Sequence, residues 1–158
     1  MIDADMLRGI DVFDGLTTSE LRQISGICRI VKLKRGARIL SGGDSAKDLY
    51  VVKSGKVNIC LQVPVLLANK EIVVDIKTGG DALGWSALVE PYKSTLSAYC
   101  DEDCELIQMR GKEVLSLCAN KHHLGYILIR NLAKIISSRM DRIQGLLVNE
   151  IRLNVPSF

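Results

Sequence analysis

Gly79-Gly80-Asp81-Ala82-Leu83-Gly84-Trp85-Ser86-Ala87-Leu88-Val89-Glu90-Pro91-Tyr92-Lys93-Ser94-Thr95 reads as the end of a strand, a glycine-led turn, one helical turn, and a return strand opening on a cation and two hydroxyls. A glycine at a strand end lets the backbone N–H groups that follow point outward together, and such a nest attracts phosphate or carboxylate. Lys93, Ser94 and Thr95 would supply charge and hydroxyl donors from the facing strand. Taken alone, the same pattern also suits an ordinary loop.

The flanking text places this segment in a β-rich body. From Arg29 to Met109, Gly36, Gly42-Gly43, Gly55, Gly79-Gly80 and Gly84 cut the chain into short runs. Ile27–Leu33, Val57–Val63 and Glu71–Ile76 are rich in branched residues, and many short strands between glycine turns predict a closed sandwich or roll. Ahead of them Thr17 or Thr18 caps a short helix, with Glu20 as the capping-box partner of Thr17.

After Arg110-Gly111 the period becomes helical, with a short helix over Lys112–Ala119 and a long one from His122 to about Leu153. Leu124, Leu128, Leu132, Ile136, Met140, Ile143, Leu147 and Ile151 form one stripe, and Ile127, Ile135 and Leu146 form a second beside it. Some thirty residues span roughly 45 Å at about 1.5 Å per residue, whereas a domain of this size has a radius of gyration of about 15 Å. The far end therefore needs another partner, and a twin helix in a homodimer fits both stripes.

Four stretches carry a resemblance. They are Phe13-Asp14-Gly15-Leu16-Thr17-Thr18-Ser19-Glu20-Leu21, the run Lys34 to Asp44, Tyr50-Val51-Val52-Lys53-Ser54-Gly55-Lys56-Val57, and Asp103-Cys104-Glu105-Leu106. In this order the chain resembles the cyclic-nucleotide-binding domain family, the β-roll regulatory module of catabolite-activator-type transcription factors, protein kinase A regulatory subunits and gated channels. The resemblance implies a mainly β fold, a double-stranded β-helix or jelly-roll-like β-roll, with an N-terminal helix and a long C-terminal helix. Residues 1–120 would form the sensing body, 121–153 the dimerisation helix of the same domain, and 154–158 a tail.

In that family the cassette glycine is followed by a Glu that holds the ribose, and an Arg that pairs the cyclic phosphate precedes a Ser or Thr. Here Trp85 stands at the Glu place. A gapless count puts Ser94 at the Arg place with Thr95 on the hydroxyl, while taking the cation as anchor makes it Lys93 followed by Ser94. Losing two charged partners in a desolvated site, at about 1.5–3 kcal/mol each, weakens binding several hundredfold or more. The expected ligand is thus a cyclic nucleotide held weakly or another anionic small molecule. It would contact Gly84, Trp85, Ser86, Ala87, Lys93, Ser94, Thr95 and, as the lid on the long helix, Arg139. The alternative is a ligand-free dimeric scaffold with Trp85 filling the pocket and a protein as its partner.

Composition sets the remaining expectations. At 158 residues with 47% hydrophobic content the chain suits one domain with a real core. No run of about 18 apolar residues and no signal-like start occurs, and a formal charge of +3 is too small to argue for nucleic acid. After the long helix too few residues remain for a winged helix-turn-helix, so no DNA binding is expected of this chain, and if Pro156-Ser157-Phe158 is the native end the chain is a stand-alone sensor or adaptor. Five Cys in an odd count suit reduced thiols in the cytoplasm.

Cys100-x-x-x-Cys104 reads as two buried strand thiols rather than a metal pair. Cys118, His122 and His123 read as packing or surface groups rather than a haem or zinc site. Asp101, Glu102 and Asp103 read as a solvated hairpin tip. With no supported nucleophile–base ordering and no His before His122, no enzyme, cupin-like or otherwise, is expected.

Overall fold

The computed structural model describes residues 2–65 and 68–154. The Thr17 cap is realised as a full capping box: Glu20 N donates to Thr17 Oγ1 at 3.3 Å and Thr17 N donates to Glu20 Oε2 at 2.8 Å. It opens α1 (Thr18–Ile27). Two short 3-10 turns, Ala4–Leu7 and Asp11–Phe13, come first. Neither has a sequence signature among those described above.

Eight strands follow: β1 (Cys28–Leu33), β2 (Arg38–Leu40), β3 (Asp48–Ser54), β4 (Val57–Val65), β5 (Ala68–Lys77), β6 (Ala82–Leu83), β7 (Ser97–Cys100) and β8 (Cys104–Arg110). They make two four-stranded antiparallel sheets, ordered β1-β8-β3-β6 and β2-β7-β4-β5. This is the expected mainly β roll with its flanking helices.

Alternation along β3 and β8 feeds two cores. Val52 and Leu106 point between the sheets with Val57, Ile59, Leu83, Ala98, Cys100 and Cys104. Leu49, Val51, Ile107 and Met109 point the other way, onto Phe13, Leu21, Ile24, Val114, Leu124 and Leu128. Each such aliphatic contributes about 1.5–3 kcal/mol by leaving water. The Asp101–Asp103 tip between β7 and β8 is exposed, as expected, and is also tied to its neighbours: Lys34 Nζ donates to Asp103 Oδ2 at 2.7 Å, Arg35 N to its Oδ1 at 2.9 Å, and Asn58 Nδ2 to Asp101 Oδ1 at 3.1 Å.

Two helices close the chain, α2 (Gly111–Asn120) and α3 (His122–Asn154). The first turns of α3 bury Leu124, Ile127, Leu128, Asn131 and Leu132. Asn131 Nδ2 donates to Val12 O at 3.2 Å and Asp14 O at 2.7 Å, fastening the second 3-10 turn to the helix. The apolar stripe is therefore split by use. Its first half packs on the chain's own body, while Met140, Ile143, Leu146, Leu147 and Ile151 are exposed. The terminal residues 155–158, including Pro156-Ser157-Phe158, lie outside the described residues. Among the described residues no helix is long and apolar enough to cross a membrane.

Candidate functional site

Strand β6 pairs with β3 through Tyr50–Leu83 and Val51–Ala82, and so delivers the chain to Gly84. Gly84 is left-handed, with φ of 84°, and a Cβ there would stand 2.6 Å from Asp48 O. Only glycine makes this turn without displacing β3. A single 3-10 turn, Trp85–Leu88, follows. Its far side is held as tightly, because a Cβ on Gly111 at the start of α2 would stand 2.5 Å from Ala87 O. The turn is thus wedged between β3 and α2.

The return limb is held by its backbone. Ser94 N donates to Asp44 O at 2.9 Å, Gly43 N donates to Ser94 O at 2.7 Å, and Gly42 N donates to Ser97 Oγ at 3.0 Å. These bonds turn Ser94 inward, where it is 6% exposed. Lys93 faces the other way, exposed and paired as an isolated bridge with Ser45.

Between the two limbs lies a cleft with Leu40, Ile59 and Leu83 as its floor, Gly84, Trp85 and Ser86 on one side, Ser94, Thr95, Leu96 and Ser97 on the other, and Arg139 of α3 across the mouth. Six of the eight residues singled out in the sequence therefore meet here. Ala87 and Lys93 do not: Ala87 is the buried wedge against Gly111, and Lys93 is turned outward by the inward set of Ser94. The hydroxyl-for-Arg register of Ser94 is the one that reaches the cleft.

The cleft is nearly shut. It holds about 30 Å³, the share of liquid volume taken by one water. The space is filled by a stacked pair, the Arg139 guanidinium lying 4.8 Å from the centre of the Trp85 ring. Such a contact gains about 2 kcal/mol or more once desolvated.

The charges behind this lid are residues the sequence reading missed. Asp75 on β5 is buried to 1% side-chain exposure, and Lys77 Nζ stands 2.9 Å from its Oδ2 as an ion pair. Arg142 Nη1 donates to Asp75 Oδ1. Arg139 Nε stands 3.7 Å from Oδ2, too far to hydrogen-bond. Arg139 Nε and Nη2 are buried and without a hydrogen-bond partner among the described residues.

Three cations thus surround one carboxylate. Burial pushes the Asp75 carboxyl up, but its pairing with Lys77 and the charge of Arg142 outweigh it and hold the group below its ordinary value. Burial and the neighbouring Arg142 lower Arg139, with Asp75 opposing them. Three cations on one carboxylate sum to +2, and Asp11, Asp14 and Asp81 line the adjoining cavity with Lys77, Arg139 and Arg142, while Arg139 alone of the cluster reaches the hydroxyl-lined cleft. The signal for the cluster was faint: Asp75 and Lys77 are two apart in a β run, so they share a face.

The thiols take no part. Cys28, Cys60, Cys100 and Cys104 are buried and unpaired with one another, and burial pushes Cys28 and Cys100 up to about 12, far from a reactive thiolate. His123 Nδ1 lies 2.7 Å from Glu20 Oε1, clasping α3 to α1.

Comparison with known proteins bears on the fold and the family. Glutaminase 1 of Bradyrhizobium diazoefficiens is 29% identical over 129 residues, 82% of this chain but 20% of that protein. A CRP-like cAMP-activated global transcriptional regulator of Mycobacterium tuberculosis is 24% identical over 152 residues, 96% of this chain and 65% of that one. The chain therefore spans under two thirds of either relative. Among solved structures, the regulatory subunit of a cAMP-independent protein kinase A from Trypanosoma brucei superposes with a TM-score of 0.73 at 16% identity, covering 92% of this chain and 49% of that one. That structure is a triple variant bound to cAMP in its A site. The sequence model of the cyclic nucleotide-binding domain matches residues 30–121, more than half of the chain. On that match, and with the two-sheet roll in place, the chain belongs to the cyclic nucleotide-binding domain family.

Proposed function

We propose that the chain is a non-enzymatic regulatory module that senses an anionic small molecule in the Trp85–Arg139 cleft and passes the signal through α3 to a homodimer. The observation that carries this reading is Arg139, a buried guanidinium with two uncommitted nitrogens at the mouth of the family's ligand cleft. An anion reaching Ser94 and Ser97 would complete those donors. To enter, it must lift Trp85 and Arg139, and Arg139 and Arg142 both ride on α3. Ligand binding and helix position then become one equilibrium, as differential affinity for two states requires.

A second copy of the chain is the partner that suits α3. Its distal half exposes Met140, Ile143, Leu147 and Ile151, and β5 turns Ile72, Val73 and Ile76 outward while Asp75 and Lys77 point in. Strong cAMP binding is not part of the proposal, because Trp85 and Ser94 stand where the family pairs ribose and phosphate with Glu and Arg. The cAMP-independent kinase subunit, whose cAMP-bound variant includes a Thr-to-Arg change, is a precedent for such a departure within the fold. We place the module in the cytoplasm, with a downstream protein as its target and no DNA contact from this domain.

The volume of about 30 Å³ favours one other reading, a scaffold whose pocket Trp85 has filled for good. Thermal stability against cAMP, cGMP, cyclic dinucleotides, nucleotides and small organic acids separates the two. A sensor at a hundred times its dissociation constant gains about 2.7 kcal/mol, and Arg139→Met abolishes the gain. A dimer that no compound stabilises is the scaffold.

A further inference from the structure

A second cleft lies on the opposite side of the Trp85–Leu88 turn. It holds about 650 Å³, within the range of about 300–1,000 Å³ in which proteins hold cofactor-sized ligands. Its apolar wall is Ile27, Leu115 and Ala87. Arg29, Lys47, Arg110 and Lys112 ring it against a single carboxylate, Asp48. That carboxylate is already engaged: Gln108 Nε2 donates to Asp48 Oδ2 at 2.9 Å and Tyr50 OH donates to it at 3.3 Å.

None of the four cations has an ion pair or side-chain hydrogen bond among the described residues. Elsewhere Lys32, Lys34, Lys53, Lys77, Arg8 and Arg142 are all paired. Four cations against one carboxylate give the cleft a net +3, and the low-dielectric walls of a concave site focus such a field.

One further observation points the same way. Tyr92 lines the rim and is 38% exposed with φ of 55°, a left-handed conformation that costs a bulky residue of order 1–3 kcal/mol. Its carbonyl accepts from Ala46 N at 2.7 Å, which holds the strained residue in place beside the cavity. An aromatic face, an apolar wall and a fork of cations together recognise a flat organic group bearing several phosphates.

We propose that this basic cleft is a second ligand site, separate from the Trp85–Arg139 cleft, for an organic polyphosphate of nucleotide size. Arg29, Lys47, Arg110 and Lys112 bind the phosphates, and Tyr92 covers the organic group. Because Ala87 belongs to both the cleft wall and the wedged turn, an occupant braces the back of the family site.

The test is amide chemical-shift mapping of the whole chain titrated with ATP, with inorganic triphosphate and a poly-glutamate peptide as comparisons. The expected result is saturable shifts centred on Lys47, Ala87, Gly111 and Lys112, with triphosphate binding more weakly than ATP. Lys47→Glu with Lys112→Glu, both exposed side chains, weakens ATP at least tenfold, and Arg139→Met leaves it within twofold. The proposal is overturned if the shifts do not saturate or centre instead on Trp85, Ser94 and Arg139. It is also overturned if the charge reversals change nothing or triphosphate binds as tightly as ATP. Tighter binding of poly-glutamate than of ATP would overturn it in favour of an acidic protein partner. Saturable shifts at Lys47, Ala87, Gly111 and Lys112 support this site even where the Trp85–Arg139 cleft stays empty, so the two readings fail separately.

Discussion

One helical turn, Trp85–Leu88, separates two clefts that have solved the same problem in opposite ways. On one side Trp85 and Arg139 close the cleft to about 30 Å³. On the other, unpaired cations stand around about 650 Å³ of open space. The closed cleft keeps its positive charge buried and partly answered by Asp75, so a ligand must compete with an internal carboxylate and open a lid. The open cleft leaves its charge in solvent, where each cation costs little and an anion can enter without rearrangement. The difference teaches where coupling resides: a site that must open can move α3, and a preformed one can only brace what is beside it.

The comparison breaks most sharply at Asp75. Asp75→Asn leaves Lys77, Arg139 and Arg142 gathered without their counter-ion and costs about 3–5 kcal/mol in urea unfolding, as expected when one member of a buried ion cluster is removed. The pH dependence follows the same group. The Asp75 carboxyl sits below its ordinary value in the folded state. Its contribution is therefore complete above the unfolded-state value of about 3.9 and is lost as pH falls through the lower folded value. Wild type should lose stability steeply below about pH 4, and Asp75→Asn should show a shallower acid limb.

Next in size is Gly84→Ala. A left-handed backbone and a Cβ 2.6 Å from Asp48 O together cost about 2–3 kcal/mol. Because the turn walls both clefts, this change should impair ATP binding in the open cleft as well as disturb Trp85 emission. Loss in one cleft alone would show that they are not joined through the turn.

Trp85→Ala sharpens the contrast. Removing a half-buried ring costs about 2 kcal/mol of stability but frees the closed cleft, so affinity for its anionic ligand should rise about tenfold in calorimetry. The smallest expected effect belongs to the open side. Lys112→Glu should change stability by no more than about 0.5 kcal/mol, the ordinary range for a surface substitution.

Much of this architecture was legible in the chain. Glycine punctuation marked the strands, Thr17 with Glu20 marked α1, and the three-to-four-residue period marked α3 to within a residue. The cassette turn was legible because Gly84 has no substitute there. What could not be read was any partnership between remote elements. Asp75 and Lys77 announce a shared strand face, but nothing in β5 says that Arg139 and Arg142, more than sixty residues later, complete the cluster. Lys93 looked like the anchoring cation because it is a cation. The paired backbone bonds of Ser94 to Asp44 and Gly43 decide otherwise, and those depend on the register of two loops. The basic cleft was invisible for the same reason, being assembled from the start of β1, the approach to β3 and the start of α2.

Trp85 is the chain's lone tryptophan, so tryptophan emission reports on its surroundings at the closed cleft. The central claim is that an anion opens this cleft by drawing Arg139 off the ring. The decisive measurement is Trp85 emission across a titration series of cyclic nucleotides, nucleotides and small organic acids, in wild type and in Arg139→Met. The account predicts that at least one anion shifts wild-type emission saturably and leaves Arg139→Met unmoved. Emission unchanged by every anion would contradict it and leave Trp85 as the permanent filling of a scaffold.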